Sequence, residues 1–294
     1  PNDINQYAST TWLYNHNKDI SADQSKVNIA ILPTPKNLEL PPVQSSMDIG
    51  AGFNYVINGT TQKSLQGAID RLAILGIKSA PDGATVKVSV AESHALHSEG
   101  YHLAIAKPGI DISASTVQGA FYGLQSLASL YQLNSNKLPL LTITDEPHYE
   151  YRGQHLDVAR NFISKDFIIN LIKQMSAIKL NTLHLHLAED EAWRLEIPSF
   201  PELTQIGGKR CMDLSDQNCL QPQLGSADDS TRNGYLSIAD YQEILTVANQ
   251  YFIKVIPSLD MPGHSRAAIK AMEARYHHFM KQEDEAAATQ YLLS

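Results

Sequence analysis

Apolar positions fall into a regular rhythm from about residue 26 onward. Val27–Leu32 and Phe53–Ile57 are short runs rich in β-branched and aromatic residues and predict strands. Gln62–Leu75 has apolar residues at helical spacing, Thr85–Val90 and Tyr101–Ala106 read as strands, and Ile110–Ile112 adds a short one. Ser115–Leu133 predicts a long helix, with Ser115 as its cap and Val117, Phe121, Leu124, Leu127 and Leu130 on one face. Leu138–Ile143 closes the set. Strands interleaved with two helices predict an α+β domain over residues 26–146, with the helices on one sheet face. Residues 1–25 are polar and weakly patterned, as in a linker or the tail of an upstream domain.

After Asp145-Glu146-Pro147 the rhythm changes. Tyr151–Val158, Thr182–Ala188 and Phe252–Leu259 predict strands. Asp166–Ile178, Ile238–Gln250 and a stretch from Ala267 towards His278 predict helices. An irregular excursion runs from about Ser199 to Asn233. Near-continuous apolar strands alternating with helices predict a parallel sheet covered by helices over residues 147–294.

Composition narrows the class. With 43% hydrophobic and 18% charged residues among 294, the chain is neither disordered nor a small disulfide scaffold. A net charge of −8 without a long basic run argues against nucleic acid and anionic membrane surfaces as partners. No window is apolar enough to span a bilayer. Cys211 and Cys219 lie in a polar stretch at a spacing that fits a short disulfide-closed loop. That pairing implies an oxidising compartment, whereas two free thiols imply a reducing one.

Chemistry collects at the carboxyl ends of parallel strands. The first end offers Asp157 and Arg160. The second offers His184, His186, Glu189, Asp190 and Glu191, and the third offers Asp260 and His264. Arg160 either braces its loop or presents a fork to hydroxyls or a carboxylate. His184 and His186 alternate with leucines and so share one face, as satisfied interior histidines or as site residues. Adjacent carboxylates near a histidine can tune proton transfer, and Asp260 and His264 straddle a Pro-Gly turn that folds them towards one pocket. Trp193 either stacks on a sugar ring or fills the core. Two enzyme readings compete: a metal-dependent barrel hydrolase built on His-x-His, and a sugar pocket with carboxyl acid–base chemistry. His-x-His on the second strand, running straight into acidic residues, favours the sugar pocket.

Several segments together resemble the family 20 glycoside hydrolases, the β-N-acetylhexosaminidases, and within them the bacterial chitobiase branch. They are Tyr151-Arg152-Gly153, Leu156-Asp157-Val158-Ala159-Arg160-Asn161-Phe162, and Lys179 through Leu187 with its Leu183-His184-Leu185-His186 core. Trp193-Arg194-Leu195-Glu196-Ile197, Pro201-Glu202-Leu203-Thr204 with Gly207-Gly208, and Asp260-Met261-Pro262-Gly263-His264 follow in order. The segment from Arg210-Cys211 to Cys219-Leu220 resembles the disulfide loop of chitobiases.

The resemblance implies an α+β accessory domain followed by the first part of a (β/α)8 TIM barrel. It implies removal of terminal β-linked N-acetylhexosamine from chitobiose and related oligosaccharides, in the periplasm or outside the cell. Configuration is retained and the 2-acetamido oxygen of the substrate is the nucleophile, with no metal or other cofactor. By position it assigns Arg160, Asp190 and His186 to substrate binding and His264, Asp260 and Glu189 to supporting catalysis. The partners implied are an N-acetylglucosamine-containing oligosaccharide and the remainder of the barrel.

Three departures stand out. Glu189-Asp190 replaces the family's usual Asp-Asp, and a carboxylate displaced by about an ångström can cost ~100-fold in rate. Position 258 is Ser where Glu is common. The motif His-x-Gly-Gly-Asp-Glu, which carries the acid/base Glu and the acetamide-orienting Asp, does not occur. The chain alone is therefore expected to be inactive, and a non-catalytic chitooligosaccharide-binding homologue is the alternative.

Overall fold

The computed structural model describes residues 9–20, 29–92, 96–223 and 233–291. Of the expected N-terminal linker, residues 1–8 and 21–25 lie outside the described set, and Thr10–Asn17 form helix α1, which buries none of its side chains.

A six-stranded mixed sheet dominates the first half. Its strands are β1 (Asn37–Glu39), β3 (Phe53–Asn58), β4 (Ala84–Val90), β5 (Tyr101–Ala106), β6 (Gly109–Ala114) and β8 (Leu141–Asp145), in the order β1-β8-β5-β6-β4-β3. β2 (Ser46–Asp48) and β7 (Lys137–Pro139) form a separate antiparallel pair. Alternate residues of β5 (Tyr101, Leu103, Ile105) are buried, as period-2 patterning requires. Helices α2 (Gln66–Ile74) and α3 (Val117–Asn134) pack against each other, and α3 lies against β4, β5 and β6.

Three expectations are corrected. The cap of α3 is Thr116, whose hydroxyl accepts from the Gly119 N–H at 3.1 Å, not Ser115. The expected Leu138–Ile143 strand divides at Leu140 into β7 and β8, which pair with different partners. The described part of Val27–Leu32 is no strand; Ile31 is buried without a ladder, and Pro33 and Pro35 just beyond it cannot donate to one.

The second half opens as a parallel β/α unit. β9 (Gly153–Asp157), α4 (Lys165–Ala177), β10 (Thr182–Ala188), α5 (Glu202–Gln205), α6 (Ile238–Gln250), β11 (Lys254–Leu259), α7 (Arg266–Lys281) and α8 (Glu285–Ala288) follow in order. The strands form a sheet in the order β11-β10-β9, all parallel. Leu183, Leu185 and Leu187 point to the helix side and are fully buried with Ile168, Ile172 and Ile244. His184 and His186 therefore occupy the opposite face, which is the inward face of a barrel. The register sets His186 between Asp157 and Ser258, so the three carboxyl ends finish at one level. This is an α+β domain followed by the first β/α units of a TIM barrel.

Candidate active site

The loop after β9 begins the site. Asp157 Oδ1 accepts from the Ala159 and Arg160 N–H groups at 2.9 and 3.1 Å, and Oδ2 accepts from Arg160 Nη1 at 2.7 Å. Burial pushes the Asp157 carboxyl up, but the Arg160 N–H and guanidinium outweigh it and hold the group below the usual aspartate value. The Arg160 guanidinium spans three carboxylates, with Nη2 2.7 Å from Glu189 Oε1 and Nε 3.3 Å from Glu191 Oε2. Burial lowers its basicity, and these acids more than restore it. Its side chain remains 32% exposed.

Glu189 is the hub. It is almost fully buried, and each oxygen serves two groups. Oε1 meets Arg160 and His186 Nε2, the latter at 3.1 Å. Oε2 meets His264 Nδ1 at 2.8 Å and accepts from the Asp190 N–H at 3.2 Å. On its other side, His186 Nδ1 is 2.7 Å from Ser258 Oγ. The bulge where β10 leaves the β11 register, between His186 and Ala188, precedes Glu189 directly.

The third strand end supplies His264 from a tight turn. Ser265 Oγ donates to the Pro262 carbonyl at 2.7 Å, and His264 has a left-handed backbone (φ 56°). Non-glycine residues visit that region rarely, and here the Glu189 contact holds the imidazole while its far side stays exposed. The Asp260 carboxylate lies within 4.8 Å of the donor atoms of His186 and Glu189.

The structure thus gathers Arg160, His186, Glu189, Asp260 and His264 into one cluster. Asp190 adjoins it but faces α7, where Oδ1 accepts from the Arg266 N–H at 3.0 Å. Trp193 is buried among Ala188, Leu203, Leu220, Ala267 and Ala271, and its indole N–H donates to the Leu195 carbonyl at 2.6 Å, so it is core and no sugar platform. Cys211 and Cys219 form a disulfide with a Cα–Cα distance of 5.7 Å.

Two arginines that sequence reasoning left without a role build the wall behind Arg160. Arg194 is fully buried and donates to the carbonyls of Val158, Ala159, Gly208 and Gly234, with Phe162 beneath its guanidinium. Burial, reinforced by the nearby charge of Arg210, pushes its pKa down to about 9. Arg210, also buried, donates to the carbonyls of Arg160 and Glu191. An arginine flanked by Trp193 and Leu195 was the available signal for the first.

The donor atoms of His186, Glu189 and Asp260, and of Glu189, Asp190 and His264, are near enough to share a cation. The Arg160 guanidinium already pairs with the shared Glu189 carboxylate at 2.7 Å, and a metal would have to compete with that cation for it. The cluster fits a hydrogen-bonded proton and hydroxyl site better than a metal centre.

Comparison with known proteins identifies the family. The family model "Glycosyl hydrolase family 20, catalytic domain" matches residues 149–292, and "Glycosyl hydrolase family 20, domain 2" matches residues 28–146. A beta-hexosaminidase B of Pseudoalteromonas piscicida is 44% identical over 99% of the chain and 37% of its own length. An N,N'-diacetylchitobiase of Vibrio harveyi is 40% identical over 100% of the chain and 33% of its own length. Among solved structures, a family 20 exo-β-N-acetylglucosaminidase of Vibrio harveyi in complex with N-acetylglucosamine superposes with a TM-score of 0.72, at 29% identity over 86% of the chain and 39% of that protein. The chain spans 33–37% of the length of these curated relatives. Both halves of the sequence match models of one family, and the chain belongs to glycosyl hydrolase family 20.

Proposed function

We propose that this chain supplies the hydroxyl-binding and charge-holding part of an exo-β-N-acetylhexosaminidase site acting on chitobiose and related oligosaccharides. The observation that carries the reading is the row Arg160–Glu189–His264, in which one buried carboxylate holds a guanidinium on one oxygen and an imidazole on the other. A guanidinium has five N–H donors, so the three carboxylates around Arg160 leave N–H edges for O3 and O4 of a terminal sugar. His264 keeps its second nitrogen for the acid/base carboxyl, which other strands of the barrel supply. Glu189 stabilises the imidazolium form of His264 as that proton moves, and His186 and Asp260 complete the network.

In this scheme the 2-acetamido oxygen of the substrate attacks the anomeric carbon, configuration is retained and no enzyme nucleophile is used. The substitution of Glu for Asp at position 189 weakens the non-catalytic reading rather than supporting it, because the longer side chain reaches every donor around it. The disulfide favours a periplasmic or secreted setting.

The test is turnover of a chromogenic N-acetyl-β-glucosaminide by the complete protein, with Arg160→Ala expected to lower kcat/KM about 1000-fold. The 294-residue chain alone is expected to give no turnover. Full activity of Arg160→Ala would sink the assignment of that residue. Binding of chitobiose by the complete protein, seen by calorimetry without turnover, would favour the non-catalytic reading.

A further inference from the structure

The Cys211–Cys219 loop reaches into the site from two sides. Before it, Arg210 donates to the Arg160 carbonyl, as described. Within it, Asp216 is buried and its Oδ2 pairs with Arg266 Nη2 at 2.6 Å. Oδ1 of the same carboxylate accepts from the Gln221 N–H at 2.8 Å, which fixes Asp216 from behind. The loop is also braced internally, since Asp213 accepts from Ser215 and Asn218 through both backbone and side chain.

Arg266 stands two residues after His264 and opens α7. The preceding Ser265 gives this helix no side-chain cap. Asp190 caps it from another strand end, through the Arg266 N–H. The first turn of α7 therefore hangs on two carboxylates: Asp190 holds its backbone and Asp216 holds its first side chain. His264 leaves the same turn towards Glu189.

We infer that Asp216, held in place by the disulfide, is a positioning residue for the His264–Glu189 contact. It acts through Arg266 and touches neither substrate nor reacting atoms. The inference rests on the proposed role of His264 beside the acid/base carboxyl. Loosening this turn impairs protonation of the leaving group, so it penalises substrates that need protonation and spares those that do not.

The experiment uses Asp216→Asn in the complete protein, with hydrogen exchange as a readout independent of activity. Exchange of the Arg266 amide should accelerate at least tenfold. Turnover of chitobiose should fall about tenfold, and that of an aryl glycoside with an activated leaving group less than threefold. A loss of folded protein alone lowers both rates equally. The double variant Cys211→Ala/Cys219→Ala should show the same pattern and add little to Asp216→Asn, because both act along one route. Arg266→Lys, which keeps the charge, should recover part of the chitobiose rate relative to Arg266→Ala. Unchanged exchange at Arg266, equal losses on both substrates, or fully multiplicative effects of the loop and Asp216 variants would each overturn the inference. If the unsubstituted protein turns over neither substrate, the functional reading fails, while the exchange measurement still decides whether Asp216 holds the turn.

Discussion

Replacing Glu189 by glutamine conserves size and removes what the site depends on. The carboxylate faces Arg160 and His186 on Oε1, and His264 and the Asp190 N–H on Oε2. An amide has one acceptor oxygen and one NH2 group. Whichever way it turns, the NH2 faces one of these pairs, donor against donor. A buried donor left without its acceptor costs about 1–3 kcal/mol, more when charged. His264 is 60% exposed on its side chain and Arg160 32%, so water offsets part of that. The amide should turn its NH2 towards the wetter His264, at about 2–3 kcal/mol, which is roughly a 30–100-fold effect.

On the proposed mechanism that loss should appear in kcat, because the Glu189–His264 contact is assigned to the proton-transfer step, whereas KM should move much less. The assay is steady-state hydrolysis of a chromogenic N-acetyl-β-glucosaminide by the complete protein, with a calorimetric melt to verify that the variant is folded. Glu189→Asp retains both acceptor oxygens but withdraws them by about an ångström, so it should also lose up to ~100-fold. A folded Glu189→Gln within threefold of the parent kcat would refute the hub role.

Two further expectations concern stability. Trp193→Phe should keep KM within twofold, and Trp193→Ala should lower stability by about 3–5 kcal/mol as a core truncation does; a large KM rise in a stable Trp193→Phe would restore the sugar-stacking role. Asp157 has a folded pKa held below its unfolded value, so its stabilisation is complete above about pH 4 and is lost as pH falls through the lower folded value. Melting curves of Asp157→Asn and the parent should therefore differ steadily from pH 5 to 8 and converge in acid, and a gap that widens on acidification would contradict this.

Much of this was legible in the sequence because periodicity and burial agree. Thr182–Ala188 reads as a strand by alternation and is one, and the same alternation puts His184 and His186 on the inward face. Ile238–Gln250 carries the Ser237–Asp240 capping box that sets its start. What escaped depends on contacts between distant residues. Arg194 looks like any arginine in a short segment, and its role exists only because carbonyls from positions 158 to 234 converge on it. That Asp190 also caps α7 is not legible, because the chain gives no hint that this helix lacks a side-chain cap of its own. Trp193 is ambiguous in the sequence because its burial depends on Leu203, Leu220, Ala267 and Ala271, which lie further along the chain.

The two ends of the parallel strands do different work, and perturbing them should separate stability from chemistry. The candidate site lies beyond the carboxyl ends, at Glu189 and Asp260. At the amino ends the barrel start is welded to the six-stranded sheet unit. Phe121 of α3 packs on Tyr251 and Phe252, at ring separations of 6.3 and 4.9 Å, just before β11. Lys179, in the left-handed position after α4 (φ 60°), sends a buried ammonium to Asp145 Oδ2 and the Tyr101 hydroxyl, each at 2.8 Å. Burial pulls the Lys179 pKa down, and Asp145 opposes that shift. Lys179→Met strands the Asp145 carboxylate, whose remaining hydrogen-bond partners among the described residues are the Lys36 N–H and the Tyr101 hydroxyl. Leaving such a charge unpaired costs about 3–5 kcal/mol. Adding Asp145→Asn removes that charge and should recover most of the loss, so the pair should be strongly non-additive. KM should stay within twofold in every folded variant, because the contacts of Lys179 and Asp145 among the described residues do not include Arg160 or Glu189. A double variant no more stable than Lys179→Met, or a KM that tracks the melting temperature, would show instead that the two ends are coupled.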